Sequence, residues 1–100
     1  MNNITTVSEI TYSDCAEYMH LTEVGSDDIG MLTTLIGIAK AFITQYIGRT
    51  EEELDDYQDL VIVVLVLVQD MWDNRTLYVD SSNLNRVVDS ILHMHSVNLL

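Results

Sequence analysis

The side chains of this chain with the chemistry to act as nucleophile, base or metal ligand are Cys15, the serines, and the histidines His20, His93 and His95. A nucleophile needs a base and an orienting group within reach. No nucleophile motif surrounds Cys15 or any serine, so capping and surface roles are expected, and no catalytic residue is assigned. On a helix His93 and His95 point about 200° apart, whereas two ligands on one helix need i,i+3 or i,i+4 spacing. His95 falls on the apolar side of its segment and reads as a core-edge or interface residue, and His20 stands alone. Asp70 and Asp73, three apart, are a candidate carboxylate pair, and Glu51, Glu52, Glu53, Asp55, Asp56 and Asp59 crowd one short stretch. Neither group has the alternating ligands or the glycine of a calcium loop. Acids at a helix start are favoured by its dipole, which explains the crowded stretch without a metal. The reading is therefore no enzyme, no metal and no cofactor. Asn3-Ile4-Thr5 and Asn74-Arg75-Thr76 match the glycosylation triplet, but without a secretory signal both read as chance.

The elements that position these residues are bounded by composition. One hundred residues make a single domain. Sixteen Asp and Glu against four Lys and Arg give a net charge of −12, yet 48% of residues are apolar. Disordered chains lack such apolar content, so this one should fold. The acidic balance argues against a binder of nucleic acid or anionic membrane, because phosphate contact needs Lys and Arg. A lone cysteine excludes an internal disulfide framework and fits a reducing compartment. The start Met1-Asn2-Asn3 lacks the basic and apolar regions of a signal peptide. The longest apolar run, Leu60 to Val68, is far short of the roughly 20 residues a membrane-spanning helix needs.

With no proline and four glycines, the chain favours helices joined by short loops. Residues 1–10 carry little pattern and read as a flexible arm, leaving 11–100 as one helical domain. A short helix begins near Thr11 or Ser13, runs to about His20 and buries Cys15, Ala16 and Met19. Ser26 or Asp27 caps a long second helix that ends at Gly48. On it the bulky residues between Ile29 and Ile47 cover roughly 180°, while Gly30, Thr34, Gly37, Ala41 and Thr44 line up on the opposite side. Thr50 and Glu53 have capping-box spacing and open a third helix that runs through Leu54 to about Asn74. Within it Leu60–Val68 is rich in Val and Ile and taken alone resembles a buried strand. A buried strand needs partners, and no second such run exists, so the segment is expected to be a central helix, apolar all round and wrapped by the others. After a turn at Asn74–Ser81, Ser82 caps a final helix with Leu84, Val87, Val88, Ile91, Leu92 and Met94 on one face. The expected fold is an all-α single small domain of about four helices.

The small-residue stripe on the second helix has three readings. It lets a neighbouring subunit's helix approach closely, it seats the bulky third helix of the same chain, or it faces water. Two-sided apolar helices and the apolar tail Val97 to Leu100 exceed what a chain of this size can bury, which favours contact with a partner.

This layout resembles the small helical head–tail connector (adaptor) proteins of long-tailed double-stranded DNA phages, over about residues 9 to 98. The matching features come in order: Tyr18-Met19-His20-Leu21, then an acidic loop ending Ser26-Asp27-Asp28. Next are Leu32 through Ala39, Phe42 to Tyr46, and the pair Gly48-Arg49. The apolar helix ends Met71-Trp72-Asp73-Asn74-Arg75, and Asn85 through Leu92 forms the closing helix. The chain departs from the family at His93-Met94-His95, where an aromatic and a basic residue are more usual, and in its strong negative charge. The resemblance implies a non-enzymatic virion protein, made in the host cytoplasm and located at the head–tail junction. It implies a homo-oligomeric ring of about twelve copies with closed rotational symmetry. Above it would sit the portal protein and below it a tail-side connector or stopper. The ring would extend the DNA channel, help retain packaged DNA and join capsid to tail, with no membrane and no sequence-specific DNA contact; the label DNA packaging attaches to the family. By matching position, Gly48, Arg49, Trp72, Asn74 and Arg75 would fix helix ends and turns. An acidic channel wall would let DNA slide without sticking, and mutual repulsion would keep the free chains apart until they dock. The alternative is a small acidic phage-type inhibitor that mimics DNA charge and binds a basic host protein.

Overall fold

In the computed structural model, which describes residues 6–96, the chain forms two short 3-10 turns and five α-helices, with no strand among the described residues. Each boundary has a local cause. Thr11 opens α1 (Tyr12–Tyr18): the Asp14 carboxylate accepts from the Thr11 N–H at 2.8 Å and from its hydroxyl at 3.0 Å. The helix closes on His20, whose φ of 60° lies in the left-handed region. There the Leu21 N–H reaches the Ala16 carbonyl at 2.9 Å and the His20 N–H reaches Glu17 at 3.2 Å. Those two bonds make a Schellman closure, a position usually held by glycine.

Gly25, rather than Ser26 or Asp27, is the N-cap of α2 (Ser26–Ile47). Its N–H donates to the Asp28 carboxylate at 3.1 Å, one half of a capping box, since glycine has no side chain to return the bond. Gly48, at φ 73°, ends the helix with its N–H on the Thr44 carbonyl at 3.0 Å. Leu32, Leu35, Ile36, Ala39, Ile43 and Ile47 are buried and follow helical spacing along one edge. By length and composition α2 is long and apolar enough to cross a membrane. Here its Leu/Ile edge fills the core against the other helices.

The expected third helix is two. Thr50 and Glu53 do form the capping box, but it opens a single turn, α3 (Glu51–Leu54), anchored by buried Leu54. Asp55, Asp56 and Tyr57 then bond three residues back, and the helix is interrupted before α4 (Leu60–Asn74). Asp competes with the helix backbone through its short polar side chain, and three of the five residues in 55–59 are Asp. Thus there are five helices rather than four. The Val/Ile-rich run is helical within α4, where it packs mainly on α2 with α1, α5 and the first 3-10 turn around it. It is not wrapped on every side, because Ile62 is 41% exposed.

Ser82 does not cap the last helix. Ser81–Asn83 is a separate 3-10 turn held by Asp80, and Asn85 caps α5 (Arg86–His95), its side-chain oxygen accepting from the N–H groups of Val87 at 2.8 Å and Val88 at 3.4 Å. The buried face of α5 is narrower than expected: Val88 and Leu92 are inside, while Val87 and Met94 are 61% and 71% exposed. The flexible-arm reading does not hold for residues 6–10. Thr6 and Glu9 cap a 3-10 turn (Val7–Glu9), the Ser8 N–H donates to Asp55 at 2.9 Å, and Val7 and Ile10 are buried in the core. Residues 1–5 of that arm, and the tail from Val97, lie outside the described residues. The molecule measures 44 × 29 × 19 Å. Its thinnest dimension is about two helix diameters, so each long helix buries one edge and shows the other.

Candidate functional site

The outer face of α2 is the first candidate. Gly30, Thr34, Gly37 and Ala41 are exposed and Thr44 is half-buried. A methyl group added at Gly30 or Gly37 would meet nothing within 4 Å. The reading in which the stripe seats the same chain's apolar helix is therefore overturned, because α4 packs on the opposite, Leu/Ile edge. The Thr34 hydroxyl donates to the Gly30 carbonyl at 3.0 Å and the Thr44 hydroxyl to Ala41 at 2.8 Å, so both turn back on their own helix. Shallow hollows of about 530 and 460 Å³ flank Gly37 and Lys40, one toward Arg49 and Glu51, the other toward Tyr12.

The second candidate is a polar knot at the far end of α2. Arg49 lies just past Gly48, and its Nε donates to the main-chain carbonyl of His95 at 2.7 Å. Its guanidinium sits 5.0 Å from the centre of the Tyr57 ring and 3.8 Å from the Glu53 carboxylate. The Tyr57 ring packs on the His95 ring at 4.2 Å, and His95 Nε2 donates to both carboxylate oxygens of Asp59 at 2.9 and 3.0 Å. Accepting partners fix the proton on Nε2. One cation thus ties the end of α2, the turn α3, the break before α4 and the last turn of α5 together. Thr50 holds the Glu53 carboxyl below its ordinary pKa, through its N–H first and its hydroxyl second, with Arg49 assisting. Sequence reading placed Arg49 at a helix end and His95 at the core edge. It missed Tyr57 and Asp59, whose partner lies 36 residues away from Asp59, a separation that leaves no local pattern.

The other helix-end residues do local work. The Asn74 side-chain amide donates to the Asp70 carbonyl at 2.9 Å. Arg75, at φ 55°, closes α4 with the Thr76 N–H on the Met71 carbonyl at 3.0 Å, and Trp72 is half-buried against the core. A smaller cluster joins α2 to α5: the Tyr46 hydroxyl donates to Asp89 at 3.1 Å and stands 3.2 Å from His93 Nε2. Burial, then the bond to Asp89, raises the Tyr46 pKa.

The arrangement fastens helices rather than assembling reactive groups. Cys15 is fully buried, and desolvation, then the charge of Asp14, pushes its thiol up to about 12, so it is not a thiolate nucleophile at neutral pH. Among the described residues no three His, Cys, Asp or Glu side chains stand together as a metal-binding group. Comparison of the chain with protein-family models, curated proteins and solved structures finds no match.

Proposed function

We propose that this protein is a virion structural component, a head–tail connector that forms a ring below the portal, extends the DNA channel and joins capsid to tail. The ordered motifs from Tyr18 to Leu92 carry the resemblance. The observation that supports assembly is the outer face of α2, where Gly30 and Gly37 are exposed and open onto empty space, with Thr34 and Ala41 exposed beside them. Small residues on an exposed helix permit close approach of another backbone, a use that the monomer itself does not make of them. The net charge of −12 suits a conduit that must surround DNA without holding it. The same charge supports a second reading, an acidic inhibitor that occupies a basic host protein in place of DNA. Mixing the chain with portal protein from the same source and imaging the product by electron microscopy separates the two. A symmetric collar on the portal is expected. Failure to associate with the portal, together with competition against DNA for a basic host protein, would replace the connector reading with the inhibitor.

A further inference from the structure

We propose that the corner where α4 ends beside the start of α2 docks a cationic segment of a different protein, anchored by apolar side chains. An open hollow of about 460 Å³ there is lined by Met31, Leu35, Met71, Trp72 and Leu77. Thr76 and Met71 also line a second hollow, of about 280 Å³, floored by Leu67 and Leu84 and edged by Tyr78. The segment that follows Arg75 therefore stands between two concavities. Its tip carries Leu77 at 58% and Tyr78 at 63% exposure, and Met31 across the hollow is 43% exposed. Large apolar side chains grouped around concave surface mark a place where a partner buries area, and aromatic residues in such places carry much of the binding energy.

Charge selects the occupant. Asp27 and Asp28 edge the first hollow, Asp70 and Asp80 the second, and Arg75 is the one cation lining either. Asp28 accepts from the Gly25 N–H and Asp80 from the Ser82 N–H. Asp70 has no cation beside it: burial, then the like charge of Asp73, pushes its pKa up, the signature of a carboxylate without compensation. A second copy of this chain would bring a net charge of −12 to an acidic rim, and a nucleic acid would bring phosphates. Both are repelled. A segment with apolar side chains between Lys or Arg residues fills the hollows and meets the rim. This inference goes beyond the connector reading and does not depend on it, since the same corner would serve either proposed role.

The chain has one tryptophan, Trp72, and it lines the hollow, so its emission reports occupancy directly. The probe is a short capped peptide of leucines and lysines, titrated into the full chain at about 0.15 M salt, where long-range attraction is screened. The expected result is a saturable blue shift of Trp72 emission. Leu77→Ser, and separately the pair Asp27→Asn with Asp70→Asn, should each weaken binding by about tenfold, whereas Glu51→Gln with Glu52→Gln should change it less than about twofold. Replacing the peptide's leucines with serines should abolish the saturable shift. Leu77 is mostly exposed, so its truncation leaves the fold intact, and Tyr78→Ser, checked by circular dichroism, provides an independent variant. An unmoved Trp72 spectrum, or equal loss from the remote Glu51 and Glu52 changes, would overturn the proposal. So would self-association of the chain that perturbs the same residues.

Discussion

At the scale of single residues, two positions work against their own backbone. His20 and Arg75 hold φ values of 60° and 55°, which cost an L-residue about 1 kcal/mol or more and cost glycine nothing. Both persist because a Schellman closure at each requires the left-handed turn. His20 is exposed, so His20→Gly should raise stability by about 0.5–1 kcal/mol, read from the urea midpoint; an unchanged or lower midpoint would mean the imidazole supports the turn. Cys15 gives a prediction in pH. Its thiol has a folded-state pKa of about 12 against an ordinary 9.0, so the folded chain keeps a proton that the unfolded chain releases above pH 9. The stabilisation is complete below the unfolded value and falls as pH rises from 9 toward 12. Urea melts at alkaline pH should therefore show a steeper loss for the natural chain than for Cys15→Ala. Near neutral pH the native thiol should resist a disulfide reagent that labels it at once in denaturant.

At the scale of elements, capping chemistry decides where the helices begin, and it accounts both for what the sequence reveals and for what it hides. Thr11, one of the two expected caps, opens α1 with Asp14 returning the bond, and Thr50 with Glu53 form the box that their spacing predicts. The Val/Ile run of α4 is helical because α2, α1 and α5 surround it, the tertiary setting overriding strand propensity. The break at Asp55–Asp59 is harder to read, because apolar periodicity on either side continues through it. Its cause is tertiary as well as local: Asp55 accepts from Ser8 and Asp59 from His95, residues far away in the chain. The burial of Val7 and Ile10 and the knot around Arg49 were hidden for the same reason, as each depends on partners more than 35 positions off. Asn85, not Ser82, caps α5, and Asn85→Ala should cost about 1 kcal/mol in chemical denaturation, whereas Ser82→Ala should be close to neutral. Thr50 lowers the Glu53 pKa, so that stabilisation is present above the unfolded carboxyl value and disappears as pH falls through the folded one. Glu53→Gln, which removes the titrating carboxyl, should accordingly flatten the acid side of the stability profile, and an unaltered profile would show that the Glu53 carboxylate gains nothing from the box in solution.

At the scale of the whole molecule, charge and shape pull in different directions, and the small-residue face of α2 is where the contest is measured. A chain of net charge −12 resists its own copies, most strongly when salt is low and the field reaches furthest. The slab is thin, and its longest helix turns a face toward solvent that could accept a neighbour without any rearrangement. The purified protein should therefore sediment as a monomer at low ionic strength and assemble only where a template such as the portal gathers copies and offsets their repulsion. Gly37→Leu tests this cleanly. Nothing lies within 4 Å of the added carbon, so the monomer has room for the side chain, and replacing an exposed mid-helix glycine with leucine should stabilise it by about 0.5–1 kcal/mol. If a second backbone packs against this face in the ring, the same bulk has nowhere to go, and the variant should fold better yet fail to form a collar on the portal. If the face meets only water, collar formation should be unaffected. A stable variant that assembles normally would remove α2 from the subunit interface and leave the exposed apolar residues of α4 and α5, Ile62, Val87 and Met94, as the surface to examine.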